Sequence, residues 1–531
     1  IIRYANFSDT TSKGFTKEQL YSTKSYKDKD LYGVRLDSND LSGWDFKEQN
    51  LTSANFESAI LTDTDFTNAK IRGADFSDTT SKGFTKEQLY STKSYKDKDL
   101  YGVNLGGNDL SGWDFRNAII EAAGFRDTTS KGFTKEQLYS TKSYKNNELG
   151  SVKLGGNDLN GWDFRNKNIT FASFESATLI DTDFTNAKIR GADFSDTTSK
   201  GFTKEQLYST KSYKDKDLYG VRLDSNDLSG WDFKEQNLVS ARFYRATLAD
   251  TKFTNADLGS ASFASATLTG TDFTNANLSN ASFRSAILKN VDFSNADFGG
   301  ANFDSATLTD IDFTDQDLTK ASFDSATLTN TKFTNADLVS ARFYRATLAD
   351  TKFTNADLGS ASFASATLTG TDFTNANLSN ASFRSAILKN VDFSNADFGG
   401  ANFDSATLTD IDFTDQDLTK VRFDSATLTN TKFTNADLGS ASFYSATLTN
   451  TDFTNAIISY ADFSNATSKG FTKEQLYSTK SYKDKDLYDV NLGGNDLSGW
   501  DFKEQNLGSA SFYSATLTNT DFTNAIISYA D

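Results

Sequence analysis

Carboxylates, lysines and tyrosines are the side chains left for acid–base chemistry in this chain of 531 residues, because it contains no His and no Cys. Their absence removes the imidazole and thiolate metal ligands, the Ser-His and Cys-His nucleophiles, the redox dithiol and any disulfide framework. The acids and bases that remain recur so regularly that no unique catalytic pair stands out. No catalytic, cofactor-binding or metal-binding residue is therefore assigned, and no cofactor is expected. Asp272, Asp292 and Asp312 recur at intervals of twenty, broken in the same series by Lys252, Lys332 and Lys352. Their oxygens suit a hard cation such as Ca²⁺. Without an Asp-rich loop beside them they read first as a solvated, partly neutralised charge ladder. The five tryptophans, Trp44, Trp113, Trp162, Trp231 and Trp500, all stand in Gly-Trp-Asp-Phe. An aromatic-lined ligand groove and a packing role are both open to them, and their identical surroundings favour packing.

What positions these residues is a repeat. A bulky apolar residue falls on every fifth position from Leu218 to Phe463 without interruption, fifty centres in a row, with a small residue two positions before each, as in Ala241-Arg242-Phe243 and Ala246-Thr247-Leu248. A period of five matches neither an α-helix nor a flat strand. It describes a chain that turns after every unit, with the centre and its small neighbour inward and three Ser/Thr/Asn/Asp-rich positions outward. Ala-Asp-Leu-Gly-Ser and Ala-Asn-Leu-Ser-Asn resemble the pentapeptide repeat family. That resemblance implies an all-β solenoid, a right-handed quadrilateral β-helix of about 20 residues per coil.

Four units per coil would place like centres above one another, since Phe and Leu alternate through Phe243, Leu248, Phe253 and Leu258. Phe253, Phe273, Phe293 and Phe313 then form one column, and Leu248, Leu268 and Leu288 another. Residues 238–320 recur identically as 338–420, an offset of a whole number of coils. One elongated domain over 1–531 is expected, of roughly 22 coils and about 110 Å at the β-strand spacing. Gln316 and Gln416 fall in the inward small-residue slot, where a hydrogen bond within the core or a local bulge is expected. The outer Asn and Thr ladders are suited to ordering water or sugar.

Five times the repeat yields to Ser-Lys-Gly-Phe-Thr-Lys-Glu-Gln-Leu-Tyr-Ser-Thr-Lys-Ser-Tyr, near 12–26, 81–95, 130–144, 199–213 and 468–482. Each reads as a short helix in which Thr16 caps, Gln19 completes a capping box and Phe15 staples against Leu20. The centres between successive inserts number 10, 6, 10 and 50, each two more than a multiple of four. If an insert replaces two faces of a coil, all five project from one side. Each Trp fills the inward slot of the fourth centre after an insert, and Asn39, Asn108, Asn157, Asn226 and Asn495 fill it on the adjoining face. Trp is expected to pack on the insert and Asn to bond backbone freed by it. The insert unit with its Gly-Trp-Asp-Phe sequel resembles segments of long, exported bacterial pentapeptide proteins.

The net charge of −17, from 71 acidic and 54 basic residues, describes a mixed surface with an acidic bias, so nucleic acid is not an expected partner. No run of about 18 apolar residues is present, so neither a membrane span nor a signal peptide is read. The lack of Met marks the chain as a processed or excised portion. The closing motif Ala525-Ile526-Ile527-Ser528-Tyr529-Ala530 echoes the opening Ile1-Ile2-Arg3-Tyr4-Ala5, which suggests a continuous head-to-tail fibre. A non-enzymatic structural or assembly protein, extracellular or on the cell surface and with itself as partner, is the first functional expectation. An adhesive or scaffolding binding module is a further one. The resemblance also implies an alternative, a DNA mimic acting on a type II topoisomerase in the cytoplasm.

Overall fold

The computed structural model describes residues 2–530. Its unit is a five-residue face closed by a tight turn. Two residues past each centre the backbone is left-handed, with φ of +58° at Asn255 and Ser260, +57° at Ser265 and +63° at Gly270. That conformation costs most L residues about 1–2 kcal/mol, and Asn, Asp and Gly bear it best. The turn closes when Ala256 N–H donates to the Phe253 carbonyl at 2.9 Å, and the same bond recurs from Ala261 to Leu258. The residue before many centres adds a side-chain turn: Asp272 Oδ1 accepts Thr274 N–H at 2.9 Å, and Asn277 Oδ1 accepts Ser279 N–H at 3.0 Å. Four turns bring the chain back beside itself. Phe253 N–H then donates to Asp272 C=O at 2.7 Å and Asp272 N–H to Thr251 C=O at 3.0 Å, a parallel ladder twenty residues out of step.

The chain divides into two compact units, Ile1–Leu228 with Glu235–Thr247 and Ser229–Lys234 with Leu248–Asp531. In the second, one face is regular enough to form a ten-stranded parallel sheet of three-residue strands, from Thr267–Thr269 to Thr447–Thr449. Leu268, Leu288 and Leu308 are in register and buried, and their neighbours point outward. Its interior follows the expected columns: Phe253 on Phe273 at 5.0 Å, then Phe293 and Phe313 at 5.3 Å each, the rings nearly parallel. The second aromatic column meets the first edge to face, Phe263 against Phe273 at 87°, which suits the ring quadrupoles. Leu248 and Leu258 fill the remaining sides and are fully buried.

The first unit has the same coil, and Phe243 is buried in it. Its ladder shows how inserts are accommodated. Ordinary bridges join residues twenty apart, as Asp45↔Asp65, whereas Asn6↔Arg35, Asp75↔Asn104, Gly124↔Lys153 and Asp193↔Arg222 are twenty-nine apart. Each insert therefore takes the place of two faces and adds nine residues to its coil. Gln316 and Gln416 stay half-exposed, with Nε2 to the Thr314 and Thr414 carbonyls, and the ladder opens where their coils meet the preceding ones: among the described residues the Phe293, Phe298, Phe393 and Phe398 N–H groups make no backbone bond to the next coil, while Asp337 N–H still reaches Gln316 C=O at 3.0 Å.

Candidate functional site

The inserts are departures from the coil that recur five times with their chemistry intact. Each is three short pieces where the sequence suggested one helix. A 3₁₀ turn, Thr11–Lys13, ends at left-handed Gly14, and α-helices Lys17–Ser22 and Lys24–Lys27 follow. The break is at Thr23, which is extended (φ −67°, ψ 149°) and uses its hydroxyl to accept Tyr26 N–H and restart the helix. Thr16 and Gln19 form a reciprocal capping box. Phe15 lies face to face on Phe7 at 4.6 Å and tilted on Trp44 at 5.8 Å, so it extends the aromatic column through the interrupted coil; Leu20 is fully buried.

Backbone left without a strand partner where the insert interrupts the ladder is satisfied by side chains. Asn39 Oδ1 accepts from Thr10 and Thr11 N–H at 2.7 and 2.8 Å, and its Nδ2 donates to the Phe7 carbonyl at 2.6 Å. Asn108, Asn157, Asn226 and Asn495 repeat this arrangement. Trp44 is buried against Phe15 and edge-on to Tyr21 at 6.3 Å. Trp113, Trp162 and Trp500 meet Phe84, Phe133 and Phe471 in the same way, and Trp231 is equally buried. Sequence reasoning missed two further devices. Tyr21 and Tyr26 stack at 4.3 Å and grip one residue, Tyr21 Oη accepting Asp45 N–H while Tyr26 Oη donates to Asp45 C=O at 2.8 Å. Burial pushes the Tyr26 phenol well above its ordinary pKa. Gln88, besides its capping role, donates Nε2 to the Leu61 and Thr64 carbonyls of the preceding coil at 2.7 and 2.8 Å. The recurrence of Tyr and Gln in every insert was a signal for both devices.

Within the first unit the four inserts lie in one column. Asp40 N–H donates to the Thr11 hydroxyl of the first insert, Asp40 pairs with Ile60 across the ladder and Leu61 N–H donates to the Lys82 carbonyl; the same path continues from Asp109 N–H to the Thr80 hydroxyl, Leu110 N–H to Lys131 C=O, Asp158 N–H to the Thr129 hydroxyl and Leu179 N–H to Lys200 C=O. Successive inserts are thus three, two and three coils apart on the same faces. In the second unit Gln475 seats the fifth insert on the Leu448 and Thr451 carbonyls.

The outer faces differ in chemistry. The Asp272 row mixes signs in short runs, three Asp then two Lys, and Lys332 and Lys432 reach Asp312 and Asp412 at 3.4 and 3.3 Å. On the adjoining face of the second unit an Asp recurs at every twentieth residue from Asp297 to Asp357 and from Asp397 to Asp437. Among the described residues none of these seven is in an ion pair. Their carboxylates accept turn N–H groups, and the Thr319 hydroxyl and N–H hold the Asp317 carboxyl below its ordinary pKa. The sheet face presents threonines in pairs, such as Thr307 with Thr309. A shallow depression of about 630 Å³ in the first unit exists because Gly106, Gly107 and Gly155 stand where other coils carry side chains. Its Arg126 is already paired with Glu175 at 2.8 Å. Among the described residues no group of three or more acidic side chains is placed to hold a metal ion, and no helix is long and apolar enough to cross a membrane.

The family model for a pentapeptide repeat region matches residues 266–343, 326–400 and 386–463. That for pentapeptide repeats in eight copies matches 30–68, 40–78, 152–198, 217–255, 241–280 and 486–524. No curated protein sequence matches the chain. Similar solved structures include HetL, a pentapeptide repeat protein involved in heterocyst differentiation regulation from the cyanobacterium Nostoc (22% identity, 45% of this chain and 86% of that one, TM-score 0.17). Another is a pentapeptide repeat protein of the Arabidopsis thaliana thylakoid lumen (31%, 20% and 69%, TM-score 0.16). A third is QnrB1, a plasmid-mediated fluoroquinolone resistance protein (18%, 36% and 85%, TM-score 0.20).

Proposed function

We propose that this chain, which belongs to the pentapeptide repeat family, is a non-enzymatic structural protein that assembles with copies of itself, coil stacked on coil, into a filament. One observation carries the reading. Coil after coil meets the next through the same parallel ladder and the same stacked centres, opening only in part at the coils of Gln316 and Gln416 among the described residues, and the ladder resumes in register even across an insert, as in Asp462↔Asn491. A solenoid whose coils are interchangeable has a surface at each coil that fits any other, so length follows copy number. The proposed setting is the cell exterior or surface, tested by protease accessibility on intact cells. Electron microscopy and light scattering of the purified chain should show filaments that persist at high salt, because the contact is backbone pairing and apolar stacking. A monodisperse monomer under all conditions would overturn the reading.

A second reading, a DNA mimic that occupies a type II topoisomerase in the cytoplasm, is favoured by the row of unpaired Asp on the second unit. Inhibition of gyrase supercoiling by the monomeric chain, abolished by Asp317→Asn with Asp337→Asn, is the result it requires.

A further inference from the structure

One Leu column of the second unit is broken at two places. Its centres run Leu258, Leu278, Phe298, Leu318 and again Leu358, Leu378, Phe398, Leu418, and the inward slot of the same face is Ala from Ala256 to Ala456 except at Gln316 and Gln416. The exceptions meet where two coils join. The Phe298 ring touches Phe293 at 5.1 Å and reaches Phe313 of the next coil at 5.5 Å and 74°. Gln316 lies across that junction and, half-exposed, does not fill the slot as Ala does. The stacked rings lean accordingly: Phe293 and Phe313 are 15° from parallel and Phe393 and Phe413 18°, against 5° for Phe253 and Phe273.

An ordinary face contributes three ladder bonds, as Phe253 N–H to Asp272 C=O, Asn255 N–H to Thr274 C=O and Asp272 N–H to Thr251 C=O. At this junction two adjacent faces lack all three. Among the described residues the N–H groups of Phe293, Asn295, Phe298, Gly300, Asp312 and Asp317 have no hydrogen-bond partner, and neither do those one hundred residues further on. The opposite two faces stay joined: Leu288 is in register with Leu308, and Phe303 N–H donates to Ser322 C=O at 2.7 Å. Asp392 still stands opposite Asp412, so the ladder is stretched without losing register. Ala296 and Ala396 in the opened corner are 8% and 7% exposed, where Ala276 and Ala336 are 1%. Backbone donors without partners beside a core are costly, and the Leu and Ala of neighbouring coils show which residues satisfy them.

We propose that these two junctions are hinges, at which the second unit flexes by opening and closing one corner about the joined corner opposite. Phe298 and Phe398 are the wedges, and Gln316 and Gln416 leave unfilled the slot that would close on them. Where the joined faces border the opening the bonds are already long, Asn290 N–H to Thr309 C=O at 3.3 Å and Asn390 N–H to Thr409 C=O at 3.5 Å. One hundred residues is a whole number of coils, so both hinges open at the same corner and their bends add. The inference is independent of self-assembly, since a monomer flexes in the same way.

Amide exchange read by mass spectrometry on the full chain compares the six unpaired amides with their bonded counterparts two coils earlier, Phe253, Asn255, Leu258, Ser260, Asp272 and Asn277. The hinge amides should exchange at least about a hundredfold faster, the two copies reporting together because their peptides are identical. F298L, Q316A, F398L and Q416A together give these coils the residues of their neighbours, so the variant should fold at least as stably and its hinge amides should slow to the counterpart rate. Motion is read from spin-label distances, which the absence of native Cys makes straightforward. N255C with N355C spans one hinge at the opening corner and S265C with S365C spans it at the joined corner, each pair about 24 Å apart over five coils. The first pair should give a broad distribution that narrows in the four-residue variant, and the second a narrow one in both. Hinge amides as slow as their counterparts overturn the inference, as does fast exchange that the variant leaves unchanged. Fast exchange with equally narrow distances at both corners means a fixed gap and overturns it too.

Discussion

At Phe293 the ring lies between Phe273 and Phe313, 5.3 Å from each, and is 1% exposed. Phe293→Asp removes the stacking, leaves a cavity and buries a charge, so a loss of at least about 4 kcal/mol is expected in chemical denaturation. Asp292, one residue away, is exposed and uses Oδ1 to accept Ser294 N–H. Asp292→Asn keeps that acceptor and should change stability by less than about 0.5 kcal/mol. Equal effects at the two sites would show the inward and outward assignments to be wrong. Asn157 holds two N–H groups and two carbonyls of buried backbone, at Thr128, Thr129, Phe125 and Leu154. Asn157→Leu orphans all four and should cost about 3 kcal/mol or more by the same measurement. These positions were legible in the sequence because burial acts on the side chain itself: an apolar residue every fifth position and a polar one in a slot otherwise small announce themselves. The turn residues were legible only as polar. That they must bear a positive φ, as Asn275 and Ser285 do at +57° and +58°, is a backbone requirement that composition alone does not state.

An insert is held by contacts reaching one coil back and one coil forward, and its sequence shows only its own half of them. Thr134 and Gln137 spell a capping box locally, and that part was readable. Gln137 Nε2 also reaching the Leu110 and Trp113 carbonyls, and Tyr139 with Tyr144 gripping Asp163, join residues 19 to 27 apart, so the pairing appears only once the coil is closed. The single helix anticipated from the pattern fails at Thr141, the counterpart of Thr23, where a second N-cap proved stronger than helix continuation. Burial is the largest effect on Tyr144 and raises its pKa, so the folded insert binds the neutral phenol. That contribution is fully present below the unfolded tyrosine pKa of about 10 and is lost as pH rises beyond it. Thermal midpoints followed by Trp162 fluorescence, which reports an indole 6.3 Å from Tyr139, should be flat from neutral pH to about 10 and then fall. Tyr144→Phe should lower the plateau by about 1 kcal/mol, through loss of the bond to Asp163 C=O, and make the alkaline fall shallower. An unchanged alkaline limb would mean that the phenols do not hold the insert.

Over the whole molecule, coil periodicity makes a stringent claim about which lengths are permitted. Residues 238–320 and 338–420 are identical, so removing Ala321–Lys420 takes out one hundred residues and joins Lys320 to Val421, recreating the Lys420–Val421 junction already present. Phe centres still fall on Phe columns, Leu on Leu, and the fifth insert keeps its seat over the Leu448 face. Because solenoid stability is approximately a sum over neighbouring coils, the deletion removes interfaces identical to those that remain. The shortened chain should therefore show the same ellipticity per residue and a closely similar melting temperature. Removing Ala321–Ser425 takes out one pentapeptide more and preserves the five-residue period, yet it turns every later face by one side. Leu428 then falls where Phe423 belongs, so aliphatic side chains meet the flat rings below them and rings meet the narrower Leu column. Voids and overpacking arise together at that joint, each worth about 1–3 kcal/mol per mismatched centre. A local opening at the joint should follow, seen as fast amide exchange in the two coils beside it and a lower, broader melt. Equal behaviour of the two deletions would mean that the five-residue face, and not the four-faced coil, is the unit the fold counts by.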